Sequence, residues 1–267
     1  MTAKLKNVLD LLEEIAPARL AEPWDNSGLQ VGSYSQEIRK IFLALDPTLN
    51  ALRAAKKASA QLLLTHHPLI FRPLSRLVID SYPQNVIFEA AKNKISVVAV
   101  HTNLDVAKGG INDILAELLG LRHVEVLREV DGEDDTGLGR IGNLTKSTPL
   151  SVVVNNVKGM LGVERVKVVG QGHLPILRIA VAGGSCGDLV GLASEKGADL
   201  LLTGDVGHHH ALEAESLGIA LIDGGHFHTE KVAFRDFARS LTEAITIRGW
   251  ELEVAVDEDE SDPIKGC

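Results

Sequence analysis

The stretch IFLALDPTLNALRAAKKASAQLLLT, Ile41 to Thr65, decides the fold. IFLAL is a strand-length apolar run, a polar turn follows, Ala51 to Ala58 reads as a helix, and QLLLT is a second buried run. Strand, turn, helix, strand is the sequence form of a βαβ unit, because two parallel strands need a crossover between them. The same order returns 138 positions later, where Ile179 to Thr203 aligns without a gap. Ile41 meets Ile179, Ala44 meets Ala182, Ala55 meets Ala193, Ala60 meets Ala198, and LLLT meets LLLT. The repeat predicts an α/β protein of two related lobes with mainly parallel or mixed sheets.

The flanking sequence extends this alternation. A helix around Val86 to Lys92 leads into the strand-like ISVVAV, and the first seventeen residues form an amphipathic helix with Val8, Leu9, Leu12 and Ile15 on one face. Asp131 to Gly139, DGEDDTGLG, reads as a connecting loop, since its acids lack the glycine and glutamate positions of an EF-hand. Ser151 to Gly170 predicts a helix stopped by Gly162 and then a strand. Thr229 to Ile245 carries Val232, Phe234, Phe237, Leu241 and Ile245 on one helical face, and WELEVAV then alternates like a half-exposed strand.

Bulk properties narrow the class. With 267 residues, 45% of them hydrophobic, the chain supports one large domain or two moderate ones. A net charge of -9 argues against a broad nucleic-acid surface, although five of the acids sit in DEDESD, Asp257 to Asp262, read here as a solvated tail. A small local basic patch remains compatible with that distribution. Acids interrupt the N-terminal helix, so no signal segment is expected, and no apolar run approaches a membrane span. Two cysteines, Cys186 and Cys267, suit a reducing cytoplasm and offer neither a disulfide framework nor a thiolate zinc knuckle.

Eight of the ten histidines fall in four stretches, each after a strand-like run: His66 and His67; His101; His208, His209 and His210; His226 and His228. Ligands gather at the carboxyl ends of parallel strands, so these turns can converge. Carboxylates accompany them: Asp105, Asp205 and Glu230. His226 and Glu230 stand at i and i+4, on one helical face within reach of one ion. Adjacent His66 and His67 are expected to point apart and to serve two neighbouring ions, which a bridging carboxylate can join. Single histidines such as His123 and His173 read as structural. His208 either faces the site or lies on a surface turn. GGSC, Gly183 to Cys186, could expose backbone N–H groups to a phosphate, but it lacks the Walker lysine, and a tight structural turn is the competing reading.

WDNSGLQVG (Trp24 to Gly32), LLLTHHPLIF (Leu62 to Phe71), HTNLDVAKGGIND (His101 to Asp113), GLGRIG (Gly137 to Gly142), TGDVGHHHALEA (Thr203 to Ala214) and GGHFHTE (Gly224 to Glu230) occur in that order. Together they make the chain resemble the Nif-three-like dinuclear-metal family, whose members are often labelled GTP cyclohydrolase type-two homologs. The resemblance runs from about Leu5 to Ile245 and fits the short form without an inter-lobe insertion. It implies one such unit over 1–267, with lobe one about 1–125 plus 226–267, lobe two about 126–225, and a metal site in the cleft between them. It also implies five ligands, His66, His67, Asp105, His226 and a bridging Glu230, and assembly as a ring-shaped homohexamer. His101, Asp205 and His208 become groups behind the ligands or facing substrate, and Trp24, Asp25 and Asn26 line the cleft, with plain packing the other reading of Trp24.

Imidazole and carboxylate ligands without thiolate suit two divalent ions among Zn, Mn, Fe, Ni and Co. Five protein ligands shared by two ions leave positions open to water, so a metal-bound hydroxide acting in hydrolysis is the expected chemistry, with His101 or His208 shuttling the proton. The expected substrate is a nucleotide, a pterin-like ring or another phosphorylated small molecule. A metal-holding regulatory or interaction protein without turnover is the alternative.

Overall fold

The computed structural model describes residues 3–130 and 135–265, so part of the loop predicted at Asp131 to Gly139, and Cys267, lie outside the described residues. The chain divides into two compact units, Met1–Leu104 with Phe234–Cys267, and Asp105–Ala233. The sequence reading sets the cuts near 125 and 226 instead. The first boundary moves because the helix Ile111–Leu118 packs on the strands Gly137–Pro149 and Pro175–Ser185 of the second unit. Its Ile111 and Leu115 press against Gly183 there.

The first unit is built on a five-stranded sheet in the spatial order Glu253–Val256, Lys40–Ala44, Leu62–Thr65, Ser96–Ala99, Gly28–Val31. The first four are mutually parallel and the last is antiparallel. Leu62 to Thr65 are buried throughout, as a central strand covered on both faces requires. Thr48 caps the crossover helix Leu49–Lys57 by accepting the Ala51 N–H at 3.0 Å.

The second unit carries a six-stranded mixed sheet in the order Arg122–Glu129, Gly137–Pro149, Pro175–Ser185, Leu200–Gly204, Ala220–Asp223, Lys167–Val169. Only the adjacent strands Pro175–Ser185, Leu200–Gly204 and Ala220–Asp223 run parallel. The helix Leu150–Leu161 stops at Gly162, in the left-handed conformation, as the sequence predicts. The repeat reappears in the pairing register. Ile41 opposes Leu62 in the first unit and Ile179 opposes Leu200 in the second, with the next two pairs in step in each.

DEDESD corrects the expectation of a solvated tail. Asp257 is buried, its N–H donates to the Leu43 carbonyl at 2.8 Å, and Glu260 is half-buried against the turn after Lys40–Ala44. Helix Thr229 to Ile245 begins earlier than the periodicity suggests, at His226, and runs to Ile247. Among the described residues no helix is long and apolar enough to cross a membrane.

Candidate metal centre

In the first unit the chain leaves the sheet at Thr65, whose hydroxyl donates to the His67 carbonyl at 2.8 Å while the His67 N–H donates to the Leu45 carbonyl at 3.0 Å. These bonds set two imidazoles at the carboxyl edge, where His101, after the strand Ser96–Ala99, supplies a third. One ligand nitrogen from each of His66, His67 and His101 can be chosen so that all three lie within 4.8 Å of one another. The rings of His66 and His67 stand 5.1 Å apart, so these neighbours do not point apart as strand alternation would have them. The turn after Thr65 breaks that alternation.

Each of these rings is anchored through Nδ1. His66, fully buried, is 2.8 Å from the Val100 carbonyl, His67 is 2.8 Å from Asp46 Oδ1, and His101 is 2.8 Å from Asp25 Oδ1. A carbonyl or carboxylate oxygen only accepts, so Nδ1 carries a proton in each ring, and in the neutral imidazole Nε2 then keeps its lone pair. This is the arrangement that fixes the tautomer and aim of metal-binding histidines.

Asp25 is enclosed at the centre of its own network. It accepts from the Asn26 N–H at 2.6 Å, the Ser27 hydroxyl at 2.8 Å and the Thr102 hydroxyl at 2.6 Å, besides His101. Burial by itself raises its pKa, but the hydrogen bonds from His101, Thr102 and Ser27 together hold the carboxyl well below the usual range. Asn26 donates to the Ile70 carbonyl at 2.5 Å and so ties this segment to the one after the histidines. Trp24 is 58% exposed, which removes the packing alternative, and its ring lies 5.9 Å from Phe71 and edge-on to His101 at 5.9 Å.

The second unit builds a matching arrangement from the edge of its own sheet. His226 Nδ1 is 2.8 Å from Asp205 Oδ2, and His226 Nε2 is 3.1 Å from Glu230 Oε2 one helical turn on. Asp205 sits at φ 51°, an uncommon left-handed conformation for a non-glycine residue, directly after the strand Leu200–Gly204. Asp105 lies on the short helix Thr102–Val106, and its charge, like that of Glu230, bears on Cys186. Burial first, and then the charges of Asp105, Asp188 and Glu230, push the Cys186 thiol far up, and its Sγ–H donates to the Gly183 carbonyl at 3.4 Å within the packed turn.

GGSC is a structural turn. The N–H groups of Gly183, Gly184 and Cys186 donate to Asn112 Oδ1 at 2.9 Å, Thr229 Oγ1 at 3.1 Å and Thr203 Oγ1 at 3.2 Å, which leaves none of them for a phosphate. Gly184, at φ 69°, lies so close to Glu230 that a Cβ would run into the carboxylate. His208 opens the helix His208–Leu217 exposed, with its ring 6.0 Å from that of His209. Asp46 is not among the residues the sequence singles out, its one signal being its place just past a parallel strand, and Asp25, expected to line the cleft, also hydrogen-bonds and orients His101.

Three comparisons place this arrangement among known proteins. A family model described as Duf34/NIF3 (NGG1p interacting factor 3) matches residues 3–263. A Clostridium perfringens protein called GTP cyclohydrolase 1 type 2 homolog is 35% identical over 262 residues, covering 98% of this chain and 99% of its own. A Lactococcus lactis protein of the same name is 38% identical over 227 residues, covering 84% and 86%. A Bacillus cereus crystal structure, described as a protein related to NIF3, superposes with a TM-score of 0.93 at 26% identity, covering 100% of this chain and 99% of that one.

Proposed function

The chain belongs to the Duf34/NIF3 family, and from that premise we propose that it holds two divalent cations and uses them to hydrolyse a small phosphorylated or heteroaromatic metabolite. The observation that carries this reading is the shared anchoring of four histidines. His66, His67, His101 and His226 each have Nδ1 at 2.8 Å from an oxygen acceptor, which leaves Nε2 of His66, His67 and His226 for a cation and that of His101 for a proton. In this reading His66, His67, Asp105, His226 and Glu230 are the ligands, and Glu230, with two oxygens, is the bridge. Zn, Mn, Fe, Ni and Co all fit such imidazole and carboxylate donors.

Divalent cations supply Lewis acidity and acidify water at neutral pH. The protein's own groups do the rest. His101 is held by Asp25 in one tautomer, so its Nε2 can take or return a proton at the attacked group, with His208 the second candidate. Trp24 and Phe71 offer exposed aromatic faces next to His101, suited to a planar ring such as a nucleobase or pterin, and Arg72 and Arg76 are exposed cations in the same segment for a phosphate. The GTP cyclohydrolase name of the relatives is consistent with such a substrate. The same reading takes the protein to be cytoplasmic and a ring-shaped homohexamer, with small molecules rather than nucleic acid as its partners.

The test is metal content per chain on protein purified without added metal, followed by turnover on a panel of nucleotides, pterins and phosphoesters. Two equivalents that fall sharply in Glu230→Ala, with turnover lost in Asp105→Ala, support the reading. Turnover unchanged in Asp105→Ala refutes the hydrolase. Two equivalents with no turnover on any substrate favour a metal-holding interaction protein, a role consistent with the interacting factor in the family's description.

A further inference from the structure

The acidic run near the C-terminus has no part in the site described so far, yet it ends on the backbone that carries the partner of His67. The strand Glu253–Val256 adds to the sheet parallel to Lys40–Ala44, with Val256 opposite Leu43. That register delivers the following residues to the turn Leu45–Thr48. There the two oxygens of Glu260 divide the work: Oε2 accepts the Leu45 N–H at 2.8 Å and Oε1 the Asp46 N–H at 2.9 Å. The same two residues face His67 with their remaining groups. The Leu45 carbonyl accepts the His67 N–H at 3.0 Å, and the Asp46 carboxylate accepts from His67 Nδ1 at 2.8 Å. Leu45 is 1% exposed, so its N–H has little access to water and depends on Glu260 for a partner.

We infer that Glu260 is a positioning residue for metal binding: through the backbone of Leu45 and Asp46 it sets the aim of His67, and it tunes the affinity of the ion held there. The inference rests on the dinuclear reading above and goes beyond it by placing a C-terminal residue in the control of one ion. The chemistry is that of a bidentate clamp. A carboxylate gripping two successive N–H groups fixes the peptide between them, and that peptide fixes the side chain of Asp46. Groups behind a metal-binding histidine are worth about 10- to 100-fold in affinity. Glu260 acts one bond network further out, so its removal should cost about 3- to 10-fold.

The experiment titrates Zn2+ against a competing chelator in the full chain, for wild type, Glu260→Ala, Glu260→Gln, Asp46→Ala, His67→Ala and the double variant Glu260→Ala/Asp46→Ala. Glu258→Ala, exposed in the same run, is the control, and thermal melts of the metal-free proteins run alongside. The expected result is that Glu260→Ala weakens one of two equivalents and leaves the other alone, Glu260→Gln retains part of the affinity through its one amide oxygen, and the Glu260→Ala effect disappears once Asp46 is gone. If His67→Ala loses an equivalent while Glu260→Ala binds both like wild type and merely melts lower, Glu260 is only structural and the inference is overturned with the dinuclear reading intact. If the two single effects add in the double variant, the path through Asp46 is wrong. If His67→Ala binds Zn2+ like wild type, the dinuclear reading fails and takes this inference with it.

Discussion

Replacing Gly184 with alanine should weaken metal binding without substituting any proposed ligand. Gly184 has φ 69°, and a Cβ there would meet the Glu230 carboxylate. Two costs follow and can be separated. Alanine in the left-handed region costs about 1–2 kcal/mol, which in a chain of this size lowers Tm by about 2–8 °C. The steric cost falls on Glu230, whose carboxylate must retreat by about 1 Å, beyond the ~0.5 Å tolerance of a functional constellation. Gly218→Ala isolates the first cost, since Gly218 shares the backbone conformation at φ 73° and has open space where its Cβ would go. The expected outcome is that both variants melt lower by similar amounts, while Gly184→Ala alone binds metal about 10- to 100-fold more weakly. The assay is elemental analysis of each protein with chelator competition beside it. Equal metal affinity in the two variants would refute the claim that Gly184 is glycine in order to make room for Glu230.

Arg140, 2% exposed, is paired with Asp113 through Nε at 2.5 Å and Nη2 at 2.8 Å, and donates to the Gly137 and Gly139 carbonyls. Arg140→Ala should cost about 3 kcal/mol and about 6–12 °C of Tm, at the low end for a buried pair because Asp113 retains some water, whereas Arg140→Met with Asp113→Leu should recover most of it by calorimetry. Because the Asp25 pKa is depressed in the fold, its contribution to stability is complete above the unfolded value near 3.8 and is lost as the pH falls below it. In chelator-treated protein, denaturant midpoints from about pH 5 down to pH 2 should therefore fall more steeply for wild type than for Asp25→Asn. On any substrate the panel identifies, Trp24→Ala should raise KM with kcat nearly unchanged, the pattern of lost ground-state binding; a fall in kcat alone would remove Trp24 from the binding face.

Much of the fold was legible because repetition and burial leave strong marks. LLLT occurs twice, and in each copy the four residues form a wholly buried strand of a parallel pair. The ligand candidates were legible too, since histidines at strand ends stand out against apolar runs. What orients them was not. Asp46 precedes a proline in an ordinary-looking turn, Asp25 lies 76 positions from His101, and Glu260 lies 215 positions from Leu45, so sequence spacing carried no signal of their contacts. The acidic run misled for a related reason: charge density predicts solvation, and it took backbone N–H groups from a distant turn to draw one of its carboxylates in.

The divergence of the two copies carries the deeper logic. Under the same alignment Asp46 falls on Gly184, His66 on Gly204, and His67 on Asp205. In the first copy the early turn supplies a carboxylate that orients the imidazole arriving from the later turn. In the second copy the later turn supplies the carboxylate, Asp205, and the imidazole it orients, His226, comes from a third element. The early turn of that copy is reduced to glycine, and Glu230 occupies the space an Asp46 equivalent would need. Gly204 cannot become a second His66, because any Cβ there would collide with the backbone at Gly225 and His226. The two copies of the βαβ edge thus differ in what they present, imidazoles on one and room for a carboxylate on the other.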